Sequence, residues 1–174
     1  MTDPGILTPP FLPIVTAALD DRGWQYTVVD EPRHLRFRVS GEHVTCLLTI
    51  LVEDDKRLVN ILGTAGLIVP SEARARARKL IEAANQTDLL GSFTFDSSEH
   101  EIVYSNPIDV DRRPFTVGLV AGMISNVIYM LDLWYPAMVQ VISLGVSVGV
   151  AVDDVDRRIE EGLRGYGGGG GLVH

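Results

Sequence analysis

A helix that leads through one glycine into a β-hairpin constrains the fold of this chain more than any other feature. Pro70 and Ser71 begin the helix, and Gly91 separates it from two alternating strands, Ser92–Asp96 and Glu101–Tyr104, that are joined by an acidic turn. Such a unit buries one face and presents the other, and no residue in it is arranged for chemistry. We therefore expect a small α+β domain that contacts protein. The apolar stripe of the helix, spaced as in an amphipathic helix, is Ala73, Ala77, Leu80, Ile81 and Ala84.

Composition narrows the class of protein. The 174 residues suit one domain with tails. The 15 basic and 23 acidic residues give a net charge of −8, so we expect no nucleic-acid partner. Cys46 is the single cysteine, which excludes an intramolecular disulfide and a thiolate zinc cage. The N-terminus lacks the basic and apolar regions of a secretory signal. We therefore expect a cytoplasmic location.

The pattern before the middle helix predicts one helix and then three or four strands. Apolar residues from Phe11 recur with the helical period, and Gly23 is at the position where a glycine is expected to end the helix. Alternating segments follow, and Val44–Val52 is apolar at nearly every position, which predicts a central strand. The fold class is therefore α+β: an antiparallel sheet flanked by helices, in the order helix, three or four strands, helix, two strands, and a long C-terminal helix or helices.

Several landmark residues, spread from about Phe11 to Gly145, resemble those of the YbjN family of bacterial sensory-transduction regulators. They are Trp24 at the first strand, Val69-Pro70 at the start of the middle helix and Asn85 at its end, Gly91-Ser92-Phe93 at the hairpin, and Asp132, Pro136 and Gly145 in the last helical region. The resemblance implies a fold similar to that of type III secretion chaperones. It also implies dimerisation and the binding of a segment of another protein.

The segment Pro114–Val152 is uncharged apart from Asp132 and supports more than one interpretation. Its helical stripe predicts a core or dimer-interface helix, and we expect a homodimer because broad apolar faces usually mark interfaces. Two spans of this length could also form a membrane hairpin between basic flanks. Val146, Val148, Val150 and Val152 alternate with small residues, as in a strand. The expected dimer-interface residues are Val117, Val120, Ile124, Ile128 and Leu131.

The residues that could perform chemistry are few and scattered. The four histidines have no spacing typical of metal ligands, so we expect neither a metal nor a cofactor. Cys46 lies in the most apolar strand, where a thiol is usually an inert packing residue. Asp54-Asp55 and Asp153-Asp154 are neighbours whose side chains diverge in a turn or at a helix start. We therefore expect no catalytic residues and no enzymatic activity.

The only basic cluster lies on the polar face of the middle helix. Arg74, Arg76 and Arg78 there are either solvated surface or a contact for an acidic protein partner. We assign residues 1–10 to an N-terminal tail, 11–145 to the α+β domain, 146–164 to an extension with a short amphipathic helix, and 165–174 to a flexible glycine-rich tail.

These observations predict a non-catalytic protein-binding module, chaperone-like or regulatory, that acts as a homodimer on an unidentified protein partner. Two other classes stay open. One is a membrane-associated protein that inserts an apolar hairpin at 114–152. The other is a ligand-binding or enzymatic domain that uses the open face of the sheet, which a deep pocket with perturbed titratable groups would distinguish.

Overall fold

The computed structural model of the protein describes residues 11–30, 34–87, 90–110 and 114–167. Within these ranges the helices and strands follow the predicted order, with four strands before the middle helix and two after it. The elements are α1 (Phe11–Asp21), β1 (Tyr26–Asp30), β2 (His34–Ser40), β3 (Thr45–Glu53), β4 (Leu58–Ile68), α2 (Arg74–Thr87), β5 (Ser92–Asp96), β6 (Glu101–Asp109), α3 (Val117–Ile142) and α4 (Val148–Gly167).

The six strands form one antiparallel sheet in the order β1-β2-β3-β4-β6-β5. Its register follows from the alternation of apolar and polar residues, because side chains at even and odd positions point to opposite faces. Every second residue of β3, from Cys46 to Val52, is buried, and Leu48 is paired with Gly63 of β4. The predicted central strand is confirmed.

The described helices lie on one face of this sheet. The central helix, α3, packs on β4, where Gly63 makes room for it: a Cβ at this position would lie 2.6 Å from side-chain carbons of Val127 and Leu131. Thr116 begins α3 because its hydroxyl accepts a hydrogen bond from the amide of Leu119 at 3.1 Å. The other helices, α1, α2 and α4, pack against α3. The core thus lies between the sheet and α3.

The strand-like alternation of valines after Gly145 does not correspond to a strand in the structure. Val148, Val150 and Val152 belong to the start of α4, a 20-residue helix, and Val146 precedes it. Its buried and half-buried side chains also fit the helical spacing i, i+3, i+4, i+7 and i+11, and packing against α3 selects that conformation over a lone strand. These side chains are Val148, Ala151, Val152, Val155 and Ile159.

The same helix differs from the membrane hairpin that the sequence left open as an alternative, since that hairpin needed two apolar spans. In the part of the chain that the structure describes, α3 alone is long and apolar enough to cross a membrane. The second half of the expected hairpin lies in α4, which continues into the charged segment Asp153–Arg158. One side of α3 packs on the sheet, so its apolar composition is that of a core helix.

The middle helix and the following hairpin form as predicted, and one side chain joins them. A single 3-10 turn, Ser71–Ala73, precedes α2. The Asn85 side chain donates to the carbonyl of Phe93 at 2.9 Å and accepts from the amide of Phe93 at 2.7 Å. Since β5 is an edge strand, this amide takes the place that a further strand would occupy next to Phe93. Asn85 therefore closes part of that sheet edge.

Candidate functional site

The first candidate surface is the face of the sheet opposite the helices, here called the open face. On β3 and β4 the buried residues alternate with half-buried ones that point to the open face, and the half-buried set lies outside the hydrophobic core. None of the four described helices packs there. An apolar centre on a sheet face that no described helix covers is typical of a surface that binds protein. The apolar residues of this centre are Leu47, Leu51, Leu62 and Val103.

Charges of opposite sign flank this apolar centre. Arg36 and Arg38 point from β2 to the open face, because their neighbours Leu35 and Phe37 are buried on the opposite face of the strand. Glu101 lies on the open face of β6, on the other side of the centre. None of the three side chains makes a hydrogen bond or ion pair with another described residue. Unpaired charges in an acidic protein are free to contact a partner.

The second candidate surface is a groove between the β2–β3 turn, α3 and α4, here called the latch groove. Its volume is about 660 Å³. Tyr129, Leu133 and Ile159 provide apolar area, and Tyr129 is 56% exposed. The groove is thus a concave apolar site with a charged rim, an arrangement that is typical of binding sites. The other lining residues are Glu42, His43, Asp132, Arg158, Glu161 and Gly162.

One carboxylate of α3 holds the rim of the latch groove in place. The Asp132 side chain accepts from the backbone amide of His43 at 2.8 Å and from that of Val44 at 3.2 Å, through the same oxygen. Gly41 lets the turn approach this closely, because a Cβ there would lie 2.6 Å from Cγ of Asp132. Without these contacts the two amides would need other partners. Asp132 and Gly41 therefore fix the turn to α3.

The structure separates the three predicted partner-binding arginines. Arg76 donates through Nε to the carbonyl of Val141 at 3.1 Å, near the C-terminal end of α3. The guanidinium carbon of Arg74 lies 5.9 Å from the ring centre of Phe95, and its Nη2 lies 3.3 Å from Nδ1 of His100. Of the three, only Arg78 is exposed. Arg74 and Arg76 thus also join elements of the fold, and partner binding stays a prediction for all three arginines.

The predicted dimer-interface residues lie mainly in the protomer's own core. Val120, Ile124 and Leu131 have no exposed surface, and Val117 and Ile128 are half-buried against the core cluster. A residue without exposed area cannot contact a second copy in this conformation, so the prediction is wrong for the first three. The broad apolar surface of α3 is explained by its packing on the sheet and on α1, α2 and α4.

The candidate nucleophile is buried as expected. Cys46 has no exposed surface. Burial, and to a smaller extent the nearby Asp132 carboxylate, raise the pKa of its thiol from 9.0 to about 11. The thiolate needed for attack is therefore scarce at neutral pH. Among the described residues, no group of three histidine, cysteine or carboxylate side chains is placed to hold a metal ion.

The acidic pair on α4 is not arranged as a catalytic dyad. The Asp154 carboxylate accepts from Nε2 of Gln140 at 3.0 Å and from Nη2 of Arg157 at 2.6 Å. These two hydrogen bonds lower the pKa of Asp154. The contact with Gln140 fastens α4 to α3, so this carboxylate has a structural role.

Sequence reasoning named the open face of the sheet only as a possible ligand-binding or enzymatic surface, and it missed the latch groove. Asp132 was recognised as a landmark, and its isolation as the only charge in a long apolar segment was a signal that it bonds to something specific. Arg36 and Arg38 alternate with apolar residues, a pattern that predicts a strand but does not show whether a helix covers them. No sequence signal showed that the turn at Gly41 would meet α4.

The fold and the two surfaces define a class: an α+β protein with an antiparallel sheet covered on one side. The sequence profile of the YbjN family, described as "Putative bacterial sensory transduction regulator", matches residues 12–140. The chain belongs to this family. Among solved structures it is similar to "YbjN, a putative transcription regulator from E. coli", with 15% identity and a TM-score of 0.53 over 70% of this chain and 86% of that one. No curated protein sequence matches the chain significantly.

Proposed function

We propose that this YbjN-family protein is a non-catalytic regulatory module of the cytoplasm that acts as a homodimer and binds a segment of another protein in the latch groove. The family description, that of a regulator of sensory transduction rather than an enzyme, supports the regulatory part. The binding part is supported by the groove's position and lining, and the dimer by the uncovered apolar centre of the open face.

The observation that carries the proposal is the exposed Tyr129 beside Leu133 and Ile159 in a concave site. Half-exposed aromatic residues next to aliphatic ones are typical anchors of protein interfaces. The rim carries both signs of charge, with Arg158 and Glu161 on one helix, and so offers hydrogen bonds to a peptide backbone or to polar side chains. Because Asp132 holds the turn, the groove is formed before a partner arrives, which lowers the entropic cost of binding.

The residues that could perform catalysis support the non-catalytic part of the proposal. Cys46 faces the core, with a thiol pKa of about 11. Asp154 is engaged by Gln140 and Arg157. A nucleophile and its base need to lie within hydrogen-bond reach in an accessible cleft, and neither of these side chains lines the latch groove.

A photo-crosslinking amino acid placed at Tyr129, in cells that express the full chain, tests the proposal. We expect a discrete adduct with a second protein, and none from the same probe at Glu82, an exposed residue of α2. The Ile159→Glu change should remove the adduct by placing a charge on the apolar wall. Val150→Glu is the matched control, because Val150 is 54% exposed on the same helix and does not line the groove.

Two results would contradict the proposal. One is the absence of any adduct from Tyr129 although the protein is folded and expressed. The other is an adduct that persists unchanged in the Ile159→Glu variant, since the partner would then lie outside the groove.

A further inference from the structure

The open face has the distribution of charge that a self-complementary surface needs. Arg36 and Arg38 occupy β2, the second strand from one edge, and Glu101 occupies β6, the second strand from the other edge. The apolar centre lies between them on β3, β4 and β6. A two-fold axis through this centre exchanges the two flanks, so that each basic flank can meet an acidic one.

We infer that the open face binds a second copy of this chain, sheet against sheet, with Arg38 of each copy paired to the partner's Glu101. This inference rests on the homodimer in the proposed function and names its surface. It replaces the α3 stripe, which the protomer itself buries. The latch groove lies at the turn, α3 and α4, away from this face, and stays accessible in such a dimer.

The charges select one of the two ways in which the sheets could stack. An axis perpendicular to the strands places β2 on the partner's β2 and brings arginines together, which is unfavourable. An axis parallel to the strands places β2 over the partner's β6. The pairs Arg38–Leu47, Leu47–Thr64 and Thr64–Val103 put Arg38 and Val103 in one row across the sheet.

Arg38 then lies over the partner's Val103, one row from the partner's Glu101. Packed sheets are about 10 Å apart and neighbouring outward residues of a strand about 7 Å apart, distances that an arginine and a glutamate can bridge together. The same axis places β3 over the partner's β4, so that Leu47, Leu51 and Leu62 leave water. Both the ionic and the apolar contacts therefore form in one arrangement.

The size of the open face agrees with a dimer of modest affinity. Six strands spaced about 4.8 Å apart and on average about 25 Å long give a face of roughly 600 Å². Two such faces remove about 1,200 Å² from solvent, the lower limit for specific interfaces. A dimer at micromolar concentration is the expected outcome.

Charge reversal on the full chain, followed by sedimentation equilibrium, tests the inference. The wild type should have twice the monomer mass at micromolar concentration. Arg38→Glu and Glu101→Arg should each raise the dimer Kd on the order of tenfold or more, because each places like charges opposite one another twice per dimer. The double variant should dimerise nearly as well as the wild type. Arg78→Glu, on an exposed helix position, is the control with the same change of charge and should leave the Kd unchanged.

Each alternative result is decisive. A wild type that is monomeric throughout the micromolar range overturns the inference. A dimer that tolerates both single reversals lies on another surface, and a double variant that stays monomeric excludes the Arg38–Glu101 pairing. Circular dichroism of every variant shows whether it is folded. Crosslinking from Tyr129 reports separately on the latch groove, so a monomeric wild type with an intact adduct would refute the dimer and leave partner binding in the groove supported.

Discussion

At the scale of single residues, Cys46 shows how burial governs chemistry. Its thiol lies on the core face of β3, where water cannot solvate a thiolate, and the Asp132 carboxylate adds like-charge repulsion. The folded state therefore holds the thiol proton more tightly than the unfolded chain does, with a pKa of about 11 against 9.0. The stability that this difference contributes is complete below pH 9 and is lost as the pH rises through the folded pKa.

We therefore expect the free energy of unfolding of the wild type, compared with that of Cys46→Ala, to fall by about 2 kcal/mol between pH 8 and pH 10.5. Urea titrations of both proteins at each pH measure this difference, and groups other than Cys46 cancel in it. Cys46 should also resist alkylation at pH 8 until urea unfolds the chain. A difference that does not change with pH, or rapid alkylation of the folded protein, would show that the thiol is accessible.

Two arginines of α2 differ in their contacts although they are two residues apart. Arg76 donates to a carbonyl in the last turn of α3, where a positive charge also interacts favourably with the helix dipole. Arg78 is exposed. Arg76→Ser should lower the free energy of unfolding by about 1.5 kcal/mol, as the loss of a charged hydrogen bond does.

Arg78→Ser should change the free energy of unfolding by less than about 0.5 kcal/mol. Urea unfolding of the two variants, which lose the same charge, separates the contact of Arg76 from the general effect of removing a cation. Equal losses of stability in both variants would show that the hydrogen bond from Arg76 to the Val141 carbonyl does not stabilise the fold.

At the scale of secondary-structure elements, Asn85 connects α2 to the edge of the sheet. Its amide matches the outward N–H and C=O groups of Phe93 as a neighbouring strand would. Asn85→Ala removes both hydrogen bonds and should lower the free energy of unfolding by about 1–3 kcal/mol. It should also speed hydrogen exchange at the Phe93 amide.

Gln86→Ala is the control for Asn85, because Gln86 is the exposed neighbour on the same helix. It should leave both the stability and the exchange at Phe93 close to those of the wild type. If Phe93 exchanges no faster in Asn85→Ala than in Gln86→Ala, the side-chain amide does not protect this edge.

At the scale of the whole molecule, the long apolar helix determines which surfaces stay open. Since α3 packs on the sheet on one side and on α1, α2 and α4 on others, the core uses the apolar stripe that was expected to face a second copy. The helices lie together on one face, which leaves the opposite face of the sheet uncovered by them. The Asp132 contact then forms the latch groove where α3 and α4 meet the β2–β3 turn. Both proposed binding surfaces thus follow from the way the helices are placed.

The amino-acid sequence is sufficient to predict those helices and strands that form because of interactions between near neighbours in the chain. The helical stripe of α2, the hairpin after Gly91 and the apolar strand around Cys46 follow from periodicity and turn residues, which act over a few neighbours. Gly91 shows the limit of such a signal. The glycine marks the turn, but the sequence does not reveal that a Cβ there would lie 2.6 Å from the Ser105 carbonyl oxygen and the Tyr104 hydroxyl.

Which apolar faces of the helices and the sheet pack against each other is known only from the tertiary contacts. Val148, Val150 and Val152 fit the alternation of a strand, but packing of Val148 and Val152 against the core favours the helix that they form. The stripe of α3 is equally suited to a core, an interface or a membrane, because hydrophobic burial is non-directional and depends only on what covers the surface. Asp132 accepts hydrogen bonds from the amides of His43 and Val44, which precede it in the sequence by 89 and 88 positions. Contacts at that separation are set by the assembly of the whole sheet and its helices, so no local pattern could have placed the candidate site.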